Sequence, residues 1–86
     1  MDINELIAIV KNKLTSQINM DSVIIEDKSF LHKNHATNQD GKFHLKIILI
    51  SSELKSMSRI ESNKKIYKIL NKELKDYIHS IQILIS

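Results

Sequence analysis

Phe43-His44-Leu45-Lys46-Ile47-Ile48-Leu49-Ile50-Ser51 is the stretch that decides the fold. Phe43, Leu45, Ile47 and Leu49 share one parity and are all apolar. His44, Lys46, Ile48 and Ile50 share the other, which mixes polar and apolar groups. Successive strand side chains point to opposite faces, so this pattern describes a strand with one buried face and one partly polar face. A sheet with a single apolar face must be covered on that side, and the flanking segments supply the cover.

N-terminal to it, Val23-Ile24-Ile25 leads into Glu26-Asp27-Lys28-Ser29-Phe30, a strand that turns polar towards its end. Before that, Ile3, Leu6, Ile7, Val10, Leu14 and Ile18 recur at helical spacing, with Asp2 and Glu5 in a capping-box arrangement. Asn19 to Asp21 interrupt the helical pattern. Between the two strands, Leu31 to Lys42 shows no periodicity and contains the sole glycine, Gly41, so it reads as a long loop. C-terminal to the central strand, Ser52 to Met57 reads as a connector, and Ser58-Arg59-Ile60-Glu61 is a second capping box. The helix that it opens should bury Ile66, Ile69, Leu70, Leu74 and Tyr77. Lys64, Lys68, Lys72 and Lys75 should lie on its solvated side, with Glu61 paired to Lys65. Ile78 to Ile85 closes the chain as a strand in which Ile81, Ile83 and Ile85 alternate with Ser80, Gln82 and Leu84.

The resulting order is α-β-β-α-β in one domain, 1–86. It is an α+β two-layer sandwich with both helices on one face of a three-stranded mixed sheet, the last strand parallel to the second. A chain of this size buries roughly 60–70% of its unfolded surface, enough to fold alone with little to spare.

Composition narrows the chemistry. There is no cysteine, and no apolar run approaches the ~20 residues that span a bilayer, so a reducing, cytoplasmic setting is expected. Net charge is +3, with the excess of lysine in the second half. That balance permits a nucleic-acid partner without demanding one. No nucleophile–base pair with an orienting third group, no Gly-rich phosphate loop and no paired carboxylates can be recognised, which argues for a non-enzyme without a small-molecule substrate. Four histidines, His32, His35, His44 and His79, are the only good borderline-soft metal ligands, and a thiolate would have to come from a partner.

Each of these residues has a plain reading. The parity of His79 with Ile81, Ile83 and Ile85 makes it a hydrogen-bonded histidine at the edge of the core. His35 reads as a polar loop residue, and His32-x-x-His35 is half of a zinc site without its other half. His44 starts a strand and points away from the apolar face, as a structural or interface residue. The lysine row reads as a solvated helix face. Its sharper alternative is contact with phosphates through Lys55, Arg59, Lys64, Lys65 and Lys68. The KH mode of RNA binding needs a Gly-x-x-Gly loop, which this chain lacks.

Several stretches together resemble the BolA family. They are Glu26-Asp27-Lys28-Ser29, Leu31-His32-Lys33-Asn34-His35-Ala36, Phe43-His44-Leu45 with the strand to Ser51, and Ile66-Tyr67 through Leu70 and Glu73-Leu74 into Ile78-His79-Ser80-Ile81. The resemblance runs from about Val23 to Ile83. Where the family usually has Phe-x-Gly and Arg-His-Arg, this chain has Leu54-Lys55-Ser56 and Ser62-Asn63-Lys64, and it ends at Ser86, short of the extension many members carry. It looks like a divergent, minimal member.

The resemblance implies a class II KH-like fold and partnership with a monothiol glutaredoxin. In such pairs a 2Fe–2S cluster is shared among the glutaredoxin cysteine, a glutathione thiol, the strand-opening histidine and a His or Cys of the loop. Carried onto this chain, His79 is the first ligand and His35 the loop ligand, with His32 as its alternative. The isolated chain would hold no cluster. Two imidazoles on one iron resemble Rieske ligation. The resemblance also implies an alternative role, a DNA-binding regulator of cell morphology and stress responses that uses the basic second helix.

Overall fold

The computed structural model describes residues 1–29 and 42–86. Helix α1 spans Ile3–Gln17, strand β1 Ser22–Asp27, strand β2 Phe43–Ile50, helix α2 Ser52–Lys55, helix α3 Arg59–Ile69, helix α4 Asn71–Asp76 and strand β3 Ile78–Ile85. The sheet order is β1-β2-β3, with β1 antiparallel and β3 parallel to the central β2. The α+β architecture and the mixed three-stranded sheet are those expected from the sequence.

Alternation in β2 sets the layers. Leu45, Ile47 and Leu49 are buried, and together with Leu6, Val10, Leu14 and Ile18 from the first helical segment and Leu54, Ile66, Leu70 and Ile78 they form one core. The opposite face carries the row Ile24–Ile48–Leu84, of which Ile24 and Leu84 are exposed. Both helices are N-capped as expected: the Asp2 carboxylate accepts from the Glu5 N–H at 2.9 Å and the Ser58 hydroxyl from the Glu61 N–H at 3.1 Å.

Three expectations need correction. The Ser52–Met57 connector contains a helical turn, α2, because the buried Ser51 hydroxyl accepts from the Leu54 N–H and donates to the Asn19 carbonyl. The long second helix is interrupted at Leu70, whose φ of −97° and ψ of 17° leave the helical region and divide α3 from α4. Beyond that break Glu73 is the fully buried residue, while Leu74 and Tyr77 are half-buried. Lys65 pairs with Glu53, Nζ to Oε2 at 2.7 Å, so it is drawn across to α2 and not along its own helix to Glu61.

Glu53 joins two elements, since it also accepts from the Asn19 N–H at 3.1 Å. The Lys65 hydrogen bond, aided by that backbone N–H, holds its carboxyl below the ordinary 4.5. A lowered folded-state value contributes stability that is present above the ordinary value and is lost as pH falls through the folded one. Glu53→Gln should therefore be less stable than the parent at pH 7. The gap should close as pH drops below 4.5, measured by urea unfolding across pH. A gap that stays constant with pH would assign the effect to packing.

Candidate functional site

The site grows from an irregularity in the β2–β3 ladder. Phe43 pairs with Ile78, yet the next residue, His44, pairs with Ser80, so His79 is the extra residue of a bulge. Ile78 takes the inward position and is 2% exposed, while His79 is exposed. This corrects the expectation that His79 shares the inward parity of Ile81. Ile78 and Ile81 both face the core at an odd spacing, and only an added residue lets them do so.

His44 lies on the open face of β2, as its alternation predicts, but it is not exposed: only 6% of its surface is accessible. Ser80, its cross-strand partner, places Oγ 2.7 Å from His44 Nδ1. The His44 N–H donates to the Ser29 hydroxyl at 3.0 Å, the Ser29 N–H donates to the Asp27 carboxylate at 2.9 Å, and the His44 carbonyl accepts from the Lys28 N–H at 2.7 Å. The His79 ring sits against the His44 ring, centroids 4.9 Å apart and planes tilted by 50°. Two imidazoles from neighbouring strands therefore meet where β2 and β3 begin.

A depression of about 380 Å³ opens beside them, lined by Lys28, His44, Leu45, Lys46, Ser80, Ile81 and Gln82. Lys28 and Lys46 both line it, and Lys28 Nζ stands 3.8 Å from the Glu26 carboxylate. His44 is the one imidazole in this lining, and the exposed His79 ring packs against it from the residue next to Ser80. Imidazole near ammonium groups can face a metal centre bearing net negative charge, because Coulomb attraction is strengthened where part of the water is excluded. Among the described residues no group of three or more His, Cys, Asp and Glu stands ready to hold a metal ion. His32 and His35 lie outside the described residues, so of the sequence-derived ligands the structure positions His79 alone.

Sequence reasoning took His44 as a structural or interface residue and did not anticipate that its ring meets that of His79. The signal that would have found it is the Ile78–Ile81 spacing, which demands the bulge that turns His79 towards the β2 histidine.

The basic residues divide. Lys55 and Arg59 line a separate depression of about 320 Å³ with Leu54, Met57, Ile83 and Ile85. Lys64 and Lys68 are exposed one turn apart on α3, roughly half a helical turn round from Arg59. Lys65 is engaged with Glu53. The five do not form one continuous patch. Among the described residues no helix is long and apolar enough to cross a membrane.

A model of the BolA-like protein family matches residues 14–86. The chain is 27% identical over 75 residues to a protein of Haemophilus influenzae described as the DNA-binding transcriptional regulator BolA, covering 87% of this chain and 70% of that protein. It is 26% identical over 80 residues to the SufE-like protein 1 of Arabidopsis thaliana, covering 87% of this chain but only 22% of that longer protein. Among solved structures, the BolA domain of SufE1 from Arabidopsis thaliana superposes with a TM-score of 0.79 at 22% identity, covering 100% of this chain and 93% of that domain.

Proposed function

Since the chain belongs to the BolA-like protein family, we propose that it is an adaptor that binds a monothiol glutaredoxin and shares a 2Fe–2S cluster with it, as cargo for cluster trafficking or iron sensing. The observation that carries this reading is His79, exposed on a bulge with its ring against that of His44. A chain without thiolates supplies imidazole nitrogen, and the glutaredoxin cysteine with glutathione supplies sulfur. A cluster bearing thiolates is anionic, which Lys28 and Lys46 complement. His35, or His32, is the loop ligand that the family pattern assigns.

Anaerobic reconstitution of this protein with a monothiol glutaredoxin, glutathione, iron and sulfide, followed by visible circular dichroism, tests the reading. The mixed complex should give a spectrum distinct from that of the glutaredoxin homodimer. His79→Ala should lose that spectrum while keeping the far-ultraviolet signal of the fold. An unchanged mixed spectrum from His79→Ala would remove it from the ligand set.

A second reading, DNA binding, rests on exposed Lys64 and Lys68 and on the description of the Haemophilus influenzae relative. It expects Lys64→Ala with Lys68→Ala to weaken binding to duplex DNA uniformly across sequences and to reduce the salt slope by about 2. A salt slope unchanged in this pair would end it.

A further inference from the structure

We propose that the outer edge of β3 and the recess beside it form a docking groove for an extended acidic peptide, which adds to the sheet as a fourth strand. The recess lies at the end of β3 away from His79, so the proposal stands whether or not a cluster is shared.

The edge is open and unguarded. Among the described residues β3 has a neighbour on one side only, β2. Ser86 turns both main-chain groups to that side: its N–H donates to the Leu49 carbonyl at 2.8 Å, and its carbonyl accepts from the Ser51 N–H at 3.0 Å. Main-chain groups alternate in direction along a strand, so Leu84 and Gln82 follow Ser86, while Ile85, Ile83 and Ile81 turn theirs outwards. Each of these three offers one donor and one acceptor to an added strand. Edge strands are commonly blunted by charge or proline. The other edge strand, β1, ends in Glu26 and Asp27, but Ile78–Ile85 contains no lysine, arginine, acid or proline.

The recess sets the chemistry of the occupant. It holds about 320 Å³ on the helix side of the edge, where Leu54, Met57, Ile83 and Ile85 give it apolar walls. A fourth strand beside Ile83 would direct every second side chain to this side. Lys55 and Arg59 also line the recess, both exposed, and neither meets a carboxylate among the described residues. No acidic residue lines it. An apolar side chain in the recess, with a carboxylate two residues along on the same face, matches this arrangement.

Two other occupants fit less well. Pairing two copies through this edge brings the cations of both to one interface, where like charges oppose it. Single-stranded nucleic acid stacks its bases on aromatic rings, and none lines the recess.

The probe is the acetylated and amidated peptide Thr-Glu-Thr-Leu-Thr-Glu-Thr, whose leucine and glutamates share one face of a strand, titrated into the ¹⁵N-labelled full chain. Amide signals of Ile81, Ile83 and Ile85 should shift and their hydrogen exchange should slow, while those of β1 hold. Peptide N–H groups alternate in direction, so N-methylation of one alternate set, at the threonines or at the leucine and glutamates, should abolish binding and the other should spare it. Replacing leucine by serine, or both glutamates by lysine, should each weaken binding by at least about fivefold. Lys55→Glu with Arg59→Glu should weaken it as much, whereas the same change of charge in Lys11→Glu with Lys72→Glu should stay within about twofold.

No shift at the β3 edge, equal response to the two methylated sets, or a control variant as weak as the recess variant would each overturn the proposal. So would a dimer in light scattering of the chain alone with the Ile81, Ile83 and Ile85 amides protected, which makes a second copy the occupant. Tighter binding of oligothymidylate at the same amides would overturn it in favour of nucleic acid.

Discussion

Ile47→Ala is expected to lower the free energy of unfolding by about 3–4 kcal/mol, a large share of the roughly 5–10 kcal/mol available to a domain of this size. Ile47 lies at the middle of the central strand, is 0% exposed, and is flanked by Ile25 on β1 and Ile83 on β3. Truncation removes the side chain from the centre of the core and leaves a void that strands paired on both sides cannot close easily. The neighbouring variant provides the control. Ile48 faces the open side of the same sheet, beside exposed Ile24 and Leu84, so Ile48→Ala should cost less than about 1 kcal/mol. Urea titration would show a large fall in midpoint for the first and little for the second, with unchanged slope in both. Equal losses would mean that both faces of the sheet are covered.

That contrast rests on alternation, which is why the fold was legible. A strand with an apolar parity and two helices with capping boxes leave few arrangements open. Three features escaped because their causes lie across the fold and not along the chain. The break at Leu70 has no glycine or proline to mark it, and Ile66, Ile69, Leu70 and Tyr77 keep helical spacing straight through it. The α2 turn depends on a buried Ser51 that also bonds to the carbonyl of Asn19, 32 positions away. Lys65 chooses Glu53 over Glu61, a choice that local helix pairing cannot express.

The site divides in the same way. The family resemblance selected His79, and the structure places it exposed, its ring against that of His44. Its neighbour His44 came to light only through the bulge. A bulge is a mismatch of count between two strands, so it is visible in one strand only as the awkward spacing of Ile78 and Ile81.

The other large effect concerns a contact with no local signature at all. Lys13 on α1 reaches Glu73 on α4, Nζ to Oε2 at 2.7 Å, across 60 positions of sequence. The two partners are unequally placed. The Glu73 side chain is 5% exposed and its Oε1 has no hydrogen-bond partner among the described residues, whereas the Lys13 side chain is 36% exposed. Lys13→Met should therefore cost about 2–3 kcal/mol, because it leaves a carboxylate in the protein interior with nothing to offset its lost hydration.

Glu73→Met should behave oppositely. The lysine returns to water on its own flexible stem, and an apolar side chain fills a site that already borders the core. That variant should lie within about 1 kcal/mol of the parent, on either side. The double variant should then match Glu73→Met and not the sum of the singles, giving a coupling of about 2–3 kcal/mol. Denaturant unfolding of the four proteins measures the cycle. A Glu73→Met as damaging as Lys13→Met would show that the pair itself holds α4 against α1, and that the asymmetry of burial does not govern the cost.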